Sequence, residues 1–216
     1  MATIYPSLIS ADLLNLEQTI KALDPYCPGY HLDVMDYHFV PNLTWGPSFI
    51  HAIAKATGGQ LWVHLMVDKP TRWLEELRLP PETILTFHFE TIGADLTFIK
   101  LIQKKMLLPS IAISPKTNVE EIFSVLNAIS QVLVMSVEPG HSGQPFLQES
   151  IKKIETLAKY RENNNLNFTI AVDGGINEKN IRLLTEKGAD QFAVASGIFN
   201  AKNPVEQLKK LNSIIQ

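Results

Sequence analysis

The sequence predicts one α/β domain over residues 1–216, a closed (β/α)8 or TIM barrel. Three observations carry this. Short apolar runs alternate with amphipathic stretches through the whole chain. The alternation is unbroken by any linker or low-complexity tract. Polar residues gather at the carboxyl end of nearly every apolar run, not near a single switch point, which disfavours a doubly wound open sheet.

The elements follow in order. A first strand at residues 4–9 ends in Ser7 and Ser10, and Asp12 and Asn15 then open a helix at 15–23. Residues 29–35 form a strand carrying His31, Asp33 and, just beyond, Asp36, followed by a helix at 47–56. The strand at 60–67 carries His64 and Met66 and leads to a helix at 71–77. The strand at 83–89 carries His88 and Glu90 and precedes a helix at 95–105. The strand at 109–114 ends in Ser114. The helix at 118–128 begins with Asn118-Val119-Glu120-Glu121, a capping side chain followed by acids that suit the helix dipole. The strand at 131–137 carries Met135 and Glu138 and is followed by a helix at 147–163. The strand at 167–173 ends in Asp173; Asn177-Glu178 then starts a helix at 177–187, stopped by Gly188. A last strand at 190–195 ends in Ser196 and hands over to a helix at 204–215.

Composition narrows the function classes. A chain of 216 residues, 45% hydrophobic and 19% charged, can build a large core. Its net charge of -3, with no run of either sign, points away from nucleic acid and anionic membranes. Cys27 stands alone, which excludes an internal disulfide and a cysteine-rich metal site and fits a reducing compartment. The start, Met1-Ala2-Thr3-Ile4-Tyr5-Pro6, lacks the pattern of a secretory signal, and no apolar run reaches a membrane span of ~18 residues. A soluble cytoplasmic protein is expected.

Strand alternation puts His31, Asp33 and Met35 on one face and Leu32 and Val34 on the other; His64 and Met66 likewise share a face. A lone histidine in an apolar strand is ordinarily a satisfied core residue. Here His31, Asp33, His64 and Asp173 all fall near strand ends, and unpaired carboxylates converging there would be costly without a cation. A divalent metal and a pair of acid/base groups are therefore expected. His64 binding substrate and Asp173 capping a turn are the alternatives. Gly140 and Gly143, with His141 and Ser142 between them, belong to a long loop after strand six. Read blandly, this loop is a surface connection; read functionally, it is a lid whose backbone approaches an anion. Gly174, Gly175, Ala195 and Ser196 lie after strands seven and eight, where barrels commonly hold phosphate. Met35, Met66 and Met135 are read as core filler that also walls the site, and Trp62 and Trp73 as packing.

These residues sit in segments that resemble the ribulose-phosphate 3-epimerase family. They are Pro6-Ser7-Leu8-Ile9-Ser10-Ala11-Asp12, His31-Leu32-Asp33-Val34-Met35-Asp36, His38-Phe39-Val40-Pro41-Asn42 and His64-Leu65-Met66-Val67. His88-x-Glu90, Ser114-Pro115-x-Thr117, Met135-x-Val137-x-Pro139-Gly140 with Gly143-Gln144, and Val172-Asp173-Gly174-Gly175-Ile176 continue the series in order. The resemblance implies a barrel holding one divalent metal per chain, zinc or iron first and manganese or cobalt also suitable. His31, Asp33, His64 and Asp173 would be its ligands, and Asp33 and Asp173 also the two acid/base groups. Ser7 and His64 would touch the sugar. Gly140 to Gly143, Gly174, Gly175, Ala195 and Ser196 would surround its phosphate. The implied reaction interconverts D-ribulose 5-phosphate and D-xylulose 5-phosphate, with one carboxylate removing a carbon-bound proton and the other returning one from the opposite face. The implied partner is a phosphorylated ketose; a homo-oligomer is compatible with the sequence.

Four departures from the usual family pattern stand out. Tyr37 stands in place of glycine, His141-Ser142 in place of an aromatic-glycine pair, Ala195-Ser196 in place of glycine-serine, and Ser114 in place of asparagine. They bear on substrate preference and leave every expected ligand in place. The nearest rival is an epimerase of a six-carbon ketose phosphate of the allulose 6-phosphate type. A hexulose-phosphate synthase or orotidine-phosphate decarboxylase would need an Asp-x-Lys-x-x-Asp motif, whereas Asp33-Val34-Met35-Asp36 has no lysine. A non-catalytic sugar-phosphate binding barrel is disfavoured by the presence of both Asp33 and Asp173.

Overall fold

Runs rich in Val, Ile, Leu and aromatic residues become eight parallel strands in a computed structural model that describes residues 2–216. They are β1 (Thr3–Pro6), β2 (Gly29–Met35), β3 (Gln60–Met66), β4 (Ile84–His88), β5 (Leu108–Ile113), β6 (Gln131–Met135), β7 (Thr169–Asp173) and β8 (Gln191–Val194). The sheet runs β1-β8-β7-β6-β5-β4-β3-β2, and a bridge between Ser7 and His31 draws β1 and β2 together into a nearly closed ring.

Helices α1 (Leu16–Leu23), α2 (Pro47–Ala56), α3 (Pro70–Glu76), α4 (Phe89–Ile92), α5 (Leu96–Lys104), α6 (Ser150–Asn163) and α7 (Ile181–Glu186) lie between the strands, and α8 (Ser196–Phe199) and α9 (Pro204–Ile215) follow the last one. Proline at the first position starts α2, α3 and α9, where its missing N–H costs nothing.

Boundaries differ from the sequence expectation in four places, each for a local reason. The first strand stops at Pro6, because the chain turns into a short 3-10 helix (Leu8–Ser10) that sends Leu8 to the helix-side core. Asp12, not Asn15, supplies the capping carboxylate there, accepting from the Leu14 N–H. The helix expected at 118–128 is a 3-10 helix (Val119–Val125), although its Asn118–Glu121 capping box forms. The last two helices in question start late. Leu147 N–H bonds back to Ser136 before α6, and Asn177 and Asn180 pair with each other before α7.

Alternation along the strands separates two cores. Tyr30, Leu32 and Val34, with Leu61, Val63 and Leu65, pack outward against the helices. Tyr5, Trp62, Ile84, Ala112, Leu133 and Ala171 fill the barrel, and Met35, Val40 and Met66 form a small layer above them. Trp62 is fully buried and donates its Nε1–H to Thr86 Oγ1 at 2.8 Å, so it is indeed packing. The barrel is thus solid below, and only its upper layer is open to chemistry. Among the described residues no helix is long and apolar enough to cross a membrane.

Candidate active site at the carboxyl ends of the strands

The β2–β3 register sets Asp33 beside His64 and Met35 beside Met66. β7 brings Asp173 to the same level, with β1 and β8 between it and β2 in the ring. His31, Asp33, His64 and Asp173 each offer a ligand atom within 4.8 Å of the others, a group that could hold a metal ion. His64 Nδ1 is 3.0 Å from Asp33 Oδ1 and 3.6 Å from Asp173 Oδ2.

Hydrogen bonds fix the first imidazole. The single proton of Ser7 Oγ goes to Asp33 Oδ2 at 3.0 Å, so Ser7 must accept from His31 Nδ1–H at 2.9 Å. His31 Nε2 is left as a bare lone pair. It is one of two buried side-chain polar atoms without a partner among the described residues, the other being Trp45 Nε1. A buried ring nitrogen with no partner is costly unless a cation or ligand meets it. Two imidazoles and two carboxylates suit zinc, iron, manganese or cobalt. The residues present fit such an ion.

The two carboxyls are pushed in opposite directions. Burial raises Asp33, but the adjoining His31 and His64 rings and the Ser7 hydroxyl outweigh it and hold it below the usual carboxylate range. Burial and the charge of Asp33 raise Asp173 well above that range, with only the Gly174 N–H pulling the other way. Burial lowers His31 to about 4, which keeps its ring neutral and able to ligate.

One pocket joins this cluster to the loops. Asp33 and Asp173 line it with Met35, Met66 and Met135, and so do Gly140 to Gly143, Gly174, Gly175, Ala195 and Ser196. Ser7 is fully buried beneath it. The loop after β6 is tied across the mouth: Asn42 Nδ2 donates to the Gly140 carbonyl, and the Ser142 and Ser10 hydroxyls meet at 2.8 Å. Gly175 has φ +63, and a Cβ there would come within 2.7 Å of the Phe146 backbone. The approach of these two loops therefore depends on glycine.

The profile of the ribulose-phosphate 3-epimerase family matches residues 3–199. The chain belongs to the ribulose-phosphate 3-epimerase family. Ribulose-phosphate 3-epimerase of Schizosaccharomyces pombe is 34% identical to it, with 100% of this chain and 95% of the relative covered. That of Helicobacter pylori J99 is 33% identical, covering 99% of this chain and 98% of the relative. Membership makes the chain an isomerase of the epimerase type. Among solved structures, 3-hexulose-6-phosphate synthase from Salmonella typhimurium superposes with a TM-score of 0.72 at 15% identity, covering 99% of this chain and 98% of that one. Orotidine 5'-monophosphate decarboxylase from Sulfolobus solfataricus gives 0.66 at 14% identity, covering 100% and 98%. At such identities these likenesses show the barrel alone.

The structure adds several features that the sequence does not specify. The sequence puts His88 and Glu90 at a strand end and assigns them no role; His88 Nε2 lies 2.9 Å from His64 Nε2. Their His-x-Glu spacing was the available signal. Ser10 and Asn42 hold the loop after β6, which no pattern in the chain announces. Tyr37, where the family usually has glycine, adopts φ +63 with its ring exposed. That left-handed backbone costs a non-glycine residue roughly 1–2 kcal/mol and explains why glycine suits the position.

Proposed function

We propose that the chain interconverts D-ribulose 5-phosphate and D-xylulose 5-phosphate, with His31, Asp33, His64 and Asp173 holding one divalent ion and Asp33 and Asp173 moving the protons. The observation that carries this reading is the meeting of two carboxyls, from strands separated by two others, around one buried imidazole. Inversion at the carbon beside a ketone requires proton removal from one face and delivery to the other, which two such groups can divide between them. When bound, the ion supplies positive charge against the negative charge that builds on the substrate oxygens.

The chain's own groups do the rest. Ser7 orients Asp33 by donating to Oδ2. Met35, Met66 and Met135 present no hydrogen-bonding proton and exclude water from the reacting carbon. The loops bearing Gly140 to Gly143, Gly174, Gly175, Ala195 and Ser196 would take the phosphate, holding the sugar's far end. A cytoplasmic site of action belongs to this reading, supported by a rice relative named as a cytoplasmic isoform.

The deciding experiment is a coupled assay of both epimerisation directions on D-ribulose 5-phosphate, free D-ribulose and allulose 6-phosphate. The pentulose phosphate is expected to be the best substrate and the phosphate-free ketose a very poor one. Equal efficiency on free D-ribulose would overturn the phosphate reading, and a preference for the hexulose phosphate would overturn the substrate.

Gly143→Val probes the phosphate loop. A Cβ there meets nothing within 4 Å, but the backbone has φ +80, so the substitution reshapes the loop without an outright clash. Loss of one hydrogen bond to the phosphate, worth about 1.5–3 kcal/mol, should raise KM at least about tenfold with a smaller change in kcat. An unchanged KM would remove Gly143 from the phosphate site.

A further inference from the structure

His64 turns its second ring nitrogen away from Asp33 and Asp173, toward a chain of polar groups that runs from buried His88 out to the surface at Glu90 and that the proton-transfer reading does not use. His64 Nε2 is 2.9 Å from His88 Nε2, and the two rings stack with centroids 5.0 Å apart. His88 is fully buried, and its Nδ1 is 3.1 Å from Glu90 Oε2. The other carboxylate oxygen, Glu90 Oε1, accepts from the Ser114 N–H at 2.8 Å and from the Thr117 hydroxyl. Lys153 Nζ fastens that turn from outside, donating to the Ser114 and Thr117 carbonyls at 2.8 and 2.6 Å.

Each hydrogen bond in this chain has only one workable direction for neutral rings. A carboxylate cannot donate, so His88 Nδ1 carries a proton and gives it to Glu90. His88 Nε2 is then bare and must accept, which puts the proton of His64 on Nε2. His64 Nδ1 is left as a lone pair facing Asp33 Oδ1 at 3.0 Å and Asp173 Oδ2 at 3.6 Å. Lone pairs that close together repel unless a cation or a shared proton lies among them.

We propose that His88 and Glu90 are positioning residues that fix the Nε2–H tautomer of His64 and so present its Nδ1 lone pair to a divalent ion. The inference rests on the metal reading of His31, Asp33, His64 and Asp173 given above. It extends that reading to a rigid donor–acceptor chain running from the metal cluster to the turn after β5. The same logic operates on the other side of the cluster, where Ser7 fixes His31 with Nε2 bare. Both imidazoles would then enter the site with their tautomers set by the protein, before any ion arrives.

Glu90→Gln tests this with almost no change of shape. The amide has one acceptor oxygen, which the Ser114 N–H claims; its NH2 then faces His88 Nδ1 and forces that nitrogen to accept. His88 flips to its Nε2–H form, and His64 Nδ1 becomes the protonated, non-ligating atom. His88→Leu removes the acceptor altogether. His88→Gln restores a carbonyl oxygen near the place of Nε2.

The full-length protein and these three variants should be titrated with zinc against a competing chromophoric chelator, and their histidine ring nitrogens followed by 15N-resolved NMR in the zinc-loaded state. The wild type is expected to show His88 protonated on Nδ1 and His64 on Nε2. Glu90→Gln and His88→Leu should bind zinc about 10–100-fold more weakly, and His88→Gln should recover most of the affinity. A purely structural role would lower stability without switching the His88 tautomer in Glu90→Gln.

The inference is overturned if zinc-loaded wild type shows His88 protonated on Nε2, or if Glu90→Gln keeps wild-type zinc affinity. Should His88→Leu fail to fold, the wild-type spectrum and the near-isosteric Glu90→Gln still decide. A wild type that binds no zinc, manganese or cobalt overturns the metal reading and this inference together. Normal binding with an unaltered Glu90→Gln variant overturns this inference alone.

Discussion

Asp33→Asn and Asp173→Asn are each expected to lower turnover by at least about 10²-fold, the lower range of what a positioned acid or base contributes. Asparagine keeps the shape of the side chain but cannot take up or deliver the proton. The losses should differ in kind. In deuterated water, an enzyme that keeps the proton-removing group but lacks the returning one can exchange the substrate's own carbon-bound hydrogen without forming product. One variant should therefore wash deuterium into unreacted ketose faster than it makes the epimer, and the other should do neither. Mass spectrometry of the recovered substrate separates the two cases and assigns the face each carboxyl serves. The same carboxyls are proposed to hold the ion, so metal content must be measured for both variants. Near-normal turnover by Asp173→Asn at full metal content would refute the two-sided mechanism.

Chelation of bound metal is expected to abolish activity, and zinc, manganese or cobalt to restore at least part of it. The physical ground is the unmet demand of the site. His31 Nε2 is buried with no protein partner, and the Asp33 and Asp173 carboxyls converge on His64 Nδ1 at 3.0 and 3.6 Å. A divalent charge relieves both conditions at once, and about one equivalent per chain should be found by elemental analysis. Zinc should also raise the unfolding temperature in proportion to its binding, since an ion that binds only the folded chain stabilises it by mass action. Full activity in a verified metal-free sample would end the metal reading.

Much of this was legible in the chain. The alternation of His31, Asp33 and Met35 against Leu32 and Val34 already separated a polar inner face from an apolar outer one, because a strand has a side-chain period of two. The repeated strand–helix unit gave the barrel, because parallel neighbours need a crossover helix. The barrel in turn gathers the strand ends, so residues as distant as 31 and 173 could be expected at one mouth. Helix starts were less legible. Whether Asn177 opens a helix or pairs with Asn180 depends on competing local hydrogen bonds of similar strength, and sequence alone does not rank them.

The sequence by itself determined the eight-unit barrel, the strand faces and the four residues that could hold an ion. Only the tertiary structure decided how those residues are held. Ser7 reaching His31 and Asp33, His88 reaching His64, and Glu90 reaching across to Ser114 and Thr117 each join the ends of different strands. Such bonds depend on registers and distances of a few tenths of an ångström around a ring of strands. A linear pattern fixes which face a side chain takes, but not which neighbour across the barrel lies within 3 Å of it.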